Sequence, residues 1–183
     1  MNKEEITEEY LREMEKTIND TFPGLNMYVR DVNLNPELEK KYYKNQIIKE
    51  KAYTDASYRV MGMATTHRYS ILSNHMTDFS MYENDTNWGL CIAARDSHFL
   101  VLDIYEYNNK TQILLLHLPD DERWKMFKNV EINIINQLID DSRKRFENKC
   151  NLNPIPELTT KDWLKRCSFP LGMDDNGNLF ELE

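Results

Sequence analysis

Residues 65–78, TTHRYSILSNHMTD, hold two of the chain's four histidines and place an aspartate three positions after the second. Histidine and aspartate are the residue types of proton relays and of metal centres, so His67, His75 and Asp78 are the first place to look for chemistry. Their spacing matches no familiar motif. His67 and His75 form neither the i, i+4 pair of a zincin helix nor the i, i+2 pair of a strand. His75 and Asp78 share a face only if the segment is helical. A hydrolytic metal site normally takes three protein ligands, which makes His98 and His117 the available additions. The candidates for metal ligation or acid–base work are therefore His67, His75, His98 and His117. The bland alternative is that each is an ordinary core or surface residue.

Asp103 is the second candidate. It stands in the middle of the apolar run HFLVLDIYEY, where a carboxylate is costly unless paired. It is either a catalytic acid or a structural one held by an arginine, with Arg59, Arg68 and Arg95 as expected partners. No Glu-x-Lys follows on the next run, so the acid-then-ExK nuclease pattern fails. GxSxG, GxGxxG, the P-loop and HExxH are absent as well. DDNGN at 174–178 begins like a calcium loop but lacks the glutamate at its twelfth position, and reads as a turn. Cys91 sits in an apolar run as a small core residue. Tyr42, Tyr43, Tyr53, Tyr58, Tyr69 and Tyr82 crowd one part of the chain, either as a contact surface or as strand packing. No cofactor is expected.

These residues need elements to position them. Ile6, Tyr10, Met14 and Ile18 recur at helical spacing across 3–20, and TFPG stops that helix. After the extended piece MYVRDV, Pro36 opens a second helix running to about Lys51. WGLCIAAR, HFLVLDIYEY and KTQILLLHL, at 88–95, 98–107 and 110–118, read as a three-stranded antiparallel meander turning at Asp96–Ser97 and Asn108–Asn109. That register puts Tyr107 opposite Lys110, Asp103 opposite Leu114, Leu90 opposite Asp103 and His117 opposite Leu100. His98 and His117 then lie diagonally on one side. Both faces are apolar, so the sheet must be covered on both sides or curved around a core. Residues 58–72 add one or two strands. Acids at 120–122 open a helix toward Cys150 with a break near Asn129, and Thr159 with Asp162 resembles a capping box.

The reading is a single α+β domain over 1–183: a central antiparallel β-meander of four to six strands packed with N-terminal and C-terminal helices. Its parts are a helical segment at 1–52, the antiparallel sheet at 58–118, helices at 120–167 and a C-terminal hairpin at 168–183. The 183 residues are 40% hydrophobic, enough for a core, and 31 acidic against 23 basic residues give a net charge of -8. Such a chain repels phosphate backbones unless its cations cluster, and KEK at 49–51 and RKR at 143–145 both sit among acids, so no nucleic-acid partner is expected. No apolar run approaches the roughly 20 residues of a membrane span, so no membrane partner is expected either. Three scattered cysteines suit a reducing compartment, hence a cytoplasmic protein. The expected function is a non-enzymatic protein-binding domain of the immunity or inhibitor type, whose acidic face takes another, basic protein. The alternative is a small hydrolase using Asp103 with His67, His75, His98 and His117 as metal ligands or acid–base partners.

Overall fold

The computed structural model describes residues 7–129 and 134–182. Helix α1 (Glu8–Thr21) opens on Thr7, whose side-chain oxygen accepts from the Tyr10 amide, with Glu8 and Glu9 at the positive end of the helix dipole. The first residues of the helix read over 3–20, Ile6 among them, lie outside the described residues. Strand β1 (Asn26–Val32) follows, and then Asn35 caps α2 (Pro36–Glu39), a single turn. The helix expected to reach Lys51 stops there. Its second half is instead strand β2 (Ile47–Glu50), entered through Asn45 at φ 67, and the β-branched pair Ile47 and Ile48 suits a strand better than a helix. The segment 1–52 is thus not simply helical.

The remaining strands are β3 (Thr54–Ser57), β4 (His67–Ser73), β5 (Thr77–Asp78), β6 (Leu90–Ala93), β7 (Ser97–Tyr107) and β8 (Lys110–His117). A 3-10 stretch at Glu122–Asn129 precedes α3 (Ile134–Lys149), and α4 (Lys161–Arg166) is capped by Thr160 rather than Thr159. Met173 bridges to Leu179 around a turn with Gly177 at φ 74, where the Asn-Gly signal lies. Among the described residues no helix is long and apolar enough to cross a membrane.

All eight strands join one sheet, in the order β2-β7-β8-β4-β1-β3-β6-β5, so the α+β class holds with more strands than four to six. The β7–β8 hairpin has Tyr107 opposite Lys110 and Asp103 opposite Leu114, and Asn108 and Asn109 turn at φ 51 and 60. A bulge between Val101 and Asp103 then shifts the register, so His117 faces Phe99 instead of Leu100. His98 and His117 consequently point to opposite faces. The meander fails at its first step: β6 pairs with β3 and β5, and Leu90 faces Ser57 instead of Asp103. The sheet is not all antiparallel either, since β4 runs parallel to β8.

The chain from β6 to β7 dictates the shape. Only residues 94–96 separate the two strands, although they stand five places apart in the sheet. From Ala93 to Ser97 the backbone reaches at most about 14 Å. Five flat inter-strand steps would need about 24 Å. The sheet must therefore curl until its two ends approach. Inside the curl, Val32, Ile48, Ala56, Tyr69, Ala93, Phe99 and Leu115, drawn from seven strands, form one buried cluster. On the other face Leu100, Leu102, Leu114 and Leu116 pack beneath Phe22, Trp124, Phe127 and Ile139. The two apolar faces read from the sequence are both covered.

Asp103 belongs to that second face and is 4% exposed. Arg143 of α3 donates to its two carboxylate oxygens from Nε and Nη2, both at 2.7 Å, and stacks on Tyr105 at 4.8 Å. None of the expected partners is the one used. Arg68 binds Asp31 at 2.7 and 2.8 Å, Arg59 lies 3.4 Å from Glu157, and Arg95 reaches a backbone carbonyl. The pair clamps α3 to β7. Arg143 is 40% exposed at its side chain, which screens part of the interaction. Asp103→Asn should cost about 2 kcal/mol and lower Tm by roughly 4–8 °C in a thermal melt. An unchanged or raised Tm would contradict a structural role.

Candidate functional site

Parallel pairing places the C-terminal ends of β4 and β8 on one edge of the sheet. Leu72 lies opposite Leu116, so Ser73 flanks His117, and the chain leaving each strand arrives at the same spot. His75 thus comes to stack on His117, with ring centroids 3.9 Å apart and planes inclined by 26°. Phe99, across the β7–β8 ladder, stacks on the other face of His117 at 4.9 Å. Asp120, just past β8, holds one carboxylate oxygen 3.5 Å from His117 Nε2 and the other 3.8 Å from His75 Nε2. His117 is fully enclosed, whereas His75 and Asp120 face a cleft of about 590 Å³ walled by Asp20, Asn74, Asp121 and Arg123.

Hydrogen-bond bookkeeping fixes where the ring protons sit. Asn74 spends its amide nitrogen on the carbonyls of Asp20, Thr21 and Pro23, so its oxygen is free to accept, and His75 Nδ1–H donates to it at 2.8 Å. Neutral His75 therefore presents a bare Nε2 to the cleft. Ser97 gives its hydroxyl proton to the Ala94 carbonyl at 2.8 Å and so accepts from His117 Nε2–H at 3.2 Å. Ser73, which accepts from the His75 backbone amide, then donates to His117 Nδ1 at 2.9 Å. His117 is a fixed, fully bonded platform, and His75 is the ring with a free lone pair.

Burial is the main cause that lowers the His75 pKa, with the neighbouring His117 next; Asp120 and the Leu118 carbonyl oppose them. The ring is accordingly a base that stays neutral at neutral pH. Asp120 is held below the usual carboxylate range, chiefly by its hydrogen bond with His117 against the cost of burial. Arg123 is tied to Asp121 and Asp20, which raises its own pKa further. The wall therefore carries three carboxylates against one guanidinium, a field that disfavours anions.

Two familiar arrangements are tested by this geometry. The ligand atoms of His75, His117 and Asp120 lie within 4.8 Å of one another, compatible in spacing with a metal's ligand shell. Stacked rings, however, send their nitrogen lone pairs side by side instead of toward a common point, and His117 Nε2 already carries its proton. The donors as arranged do not fit an ion. A Ser-His-Asp triad also fails, because Ser97 and Asp120 both meet the same nitrogen, and Ser73 and Ser97 are both fully buried.

The other sequence candidates lie elsewhere. His67 is buried, with Nδ1 2.7 Å from Thr66 Oγ1 and Nε2 3.3 Å from Glu39 but outside hydrogen-bonding geometry. His98 stacks on Trp124 at 4.1 Å, and burial followed by the Lys49 charge lowers its pKa. Asp78 is exposed on β5 and accepts from the Ser80 amide. Asp103 is in the α3 clamp. Of the five candidates in the two function readings, only His75 and His117 meet. Asp120, read from the sequence as a first-turn acid, is the member that sequence reasoning missed.

No family model and no curated protein matches this chain. Solved structures are similar in part. The type III effector XopAI from Xanthomonas axonopodis pv. citri is 14% identical over 52% of this chain and 44% of its own, with a TM-score of 0.46. The ADP-ribosyltransferase HopU1 of Pseudomonas syringae pv. Tomato is 12% identical over 51% and 45%, with a TM-score of 0.47. The Vis toxin from Vibrio Splendidus, also an ADP-ribosyltransferase, is 15% identical over 61% and 56%, with a TM-score of 0.42. The chain spans about half the length of these proteins. The expected non-enzymatic, protein-binding domain of the immunity or inhibitor type is corrected by this comparison, whose matches include ADP-ribosyltransferases and a type III effector.

The tautomer assignment and the shifts are checked together by NMR. In a pH titration followed by histidine carbon shifts, His75 and His98 should both titrate below 6.5, and neutral His75 should show Nδ1–H. The sign follows from linkage. The unfolded chain binds protons at these rings first, so stability falls as pH drops below 6.5. A His75 midpoint above 6.5 would contradict the site as drawn.

Proposed function

We propose that the His75 cleft is the active site of a small hydrolase in which His75 activates water. The observation that carries this reading is the bare Nε2 of His75, open to the cleft with Asp120 beside it. In the reaction His75 Nε2 takes a proton from water as the oxygen attacks the substrate carbonyl. Asp120 stabilises the imidazolium that forms, and the proton then passes to the leaving group. Attack is direct. Both nearby serines, Ser73 and Ser97, are buried and occupied with His117, so neither is placed to attack in water's stead.

The three carboxylates of the wall favour an uncharged or cationic ester or amide over an anionic one. Cys91, Cys150 and Cys167 are all buried and unpaired, which supports a reducing, cytoplasmic setting.

The test compares a choline-type ester with a succinate-type ester of the same leaving group. The cationic ester should be turned over faster, and His75→Gln should lower kcat/KM about 100-fold with an unchanged melting curve. Activity should rise with pH through the lowered His75 midpoint and then level off. Equal rates for the wild type and His75→Gln would remove the proposal, as would activity that needs a retained stoichiometric zinc.

A further inference from the structure

A second cleft, of about 680 Å³, carries the opposite bias, with Arg30, Lys51, Tyr53, Arg95, Phe169 and Phe180 in its walls. Arg30 on β1 is 5% exposed. Its Nη1 and Nη2 donate to the backbone carbonyls of Asp55 at 3.0 Å and Phe169 at 3.2 Å, and its buried Nε has no partner. A guanidinium has five N–H donors, so most of this one's capacity is unspent. Among the described residues it makes no ion pair with a carboxylate. A buried cation without one is costly and calls for a counter-charge.

Two more cations share that condition. Lys51 Nζ lies over the Phe180 ring at 4.8 Å, and Arg95 Nε reaches only the Lys51 carbonyl at 3.4 Å. Of the three acids in the same wall, Glu50, Asp174 and Asp175, the first two are turned to backbone donors. Glu50 accepts from the amides of Ala52 and Gly172 at 2.9 and 2.8 Å, and Asp174 accepts from those of Asn176 and Asn178. Arg166 closes on Asp55 at 2.8 Å. In a chain of net charge -8, three cations without a carboxylate contact converge on one cleft. Tyr53 and Phe169 stand 63% and 62% exposed in the same walls.

We propose that this cleft binds a nucleoside phosphate. Three cations match a phosphate dianion better than a singly charged carboxylate, and Arg30 offers the fork that phosphate oxygens accept. Tyr53 and Phe169 offer ring faces on which a planar base stacks. The site is separate from the His75 cleft and does not depend on the chemistry assigned there.

Calorimetric titration of the full chain with AMP, adenosine and inorganic phosphate tests both halves. AMP should bind, more weakly as salt rises, with adenosine and phosphate each at least about tenfold weaker. Lys51→Ala and Arg95→Ala, both near the surface, should each weaken AMP roughly tenfold without changing the melting curve. Arg30→Lys keeps the charge, loses the fork, and should weaken AMP at least as much; if it does not fold, the Lys51 and Arg95 variants decide. No heat with AMP at millimolar concentration overturns the proposal. So does AMP binding indifferent to Lys51→Ala and Arg95→Ala, or phosphate binding as tight as AMP.

Discussion

The three residues between β6 and β7 constrain everything else. They link strands five places apart in an eight-stranded sheet, and no flat sheet can satisfy them. The cost of curling is met by what the curl encloses. Seven strands contribute side chains to one interior, and fully buried Tyr69, Phe99, Ile71, Ile113 and Leu115 fill it. Some polar groups admitted there are bonded to one another. Tyr42 and Tyr69 hydroxyls bond each other at 2.7 Å, and Tyr42 donates on to the Leu171 carbonyl, which stitches the C-terminal segment across the interior. Burial drives the Tyr42 hydroxyl pKa upward, so it stays a donor at any ordinary pH.

The same curl explains why the site stands at one end of β8. Strands β4 and β7 flank β8, one parallel and one antiparallel. Ser73 from one and Ser97 from the other therefore both reach His117 and hold its two nitrogens. Phe99 closes the third side. Only the fourth side of the ring is left, and His75 covers it. A ring fixed by two hydroxyls and two stacking partners cannot turn, which gives His75 a rigid floor and leaves Asp120 to meet its edge.

How much of this was legible follows from which interactions are local. The β7–β8 hairpin was readable because two asparagines and two alternating apolar runs lie next to each other in the chain. The register beyond Asp103 was not, because the bulge near Leu102 leaves no mark in an apolar run. The Pro36 start extends a helix reading across Ile47 and Ile48, although β2 owes its existence to pairing with β7, a partner some fifty residues on. The site was least legible of all. His75 and His117 were both candidates, but their meeting depends on parallel pairing of β4 with β8, and Asp120 looked like an ordinary acid in a first helical turn. Asp103 in its apolar run calls for a partner, yet that partner comes from α3, where Arg143 lies inside a charge run that reads as a solvated face.

The two clefts divide the charge of the molecule between them. With net charge -8, the expected condition of any surface concavity is negative, and the His75 cleft obeys that expectation. The second cleft departs from it through Arg30, Lys51 and Arg95, while two of its three acids, Glu50 and Asp174, are turned toward backbone amides. Glu50 is the clearest case: 7% exposed, it satisfies the amides of Ala52 and Gly172 instead of the guanidinium of Arg30. Gly172 sits at φ 77, and a Cβ there would come within 2.9 Å of Ile48, so only glycine lets its amide approach that carboxylate. A backbone position restricted in this way keeps Glu50 occupied and Arg30 unpaired. With Glu50 held by amides, Arg30 stays a buried cation free of a carboxylate contact, which is the arrangement an anionic ligand requires.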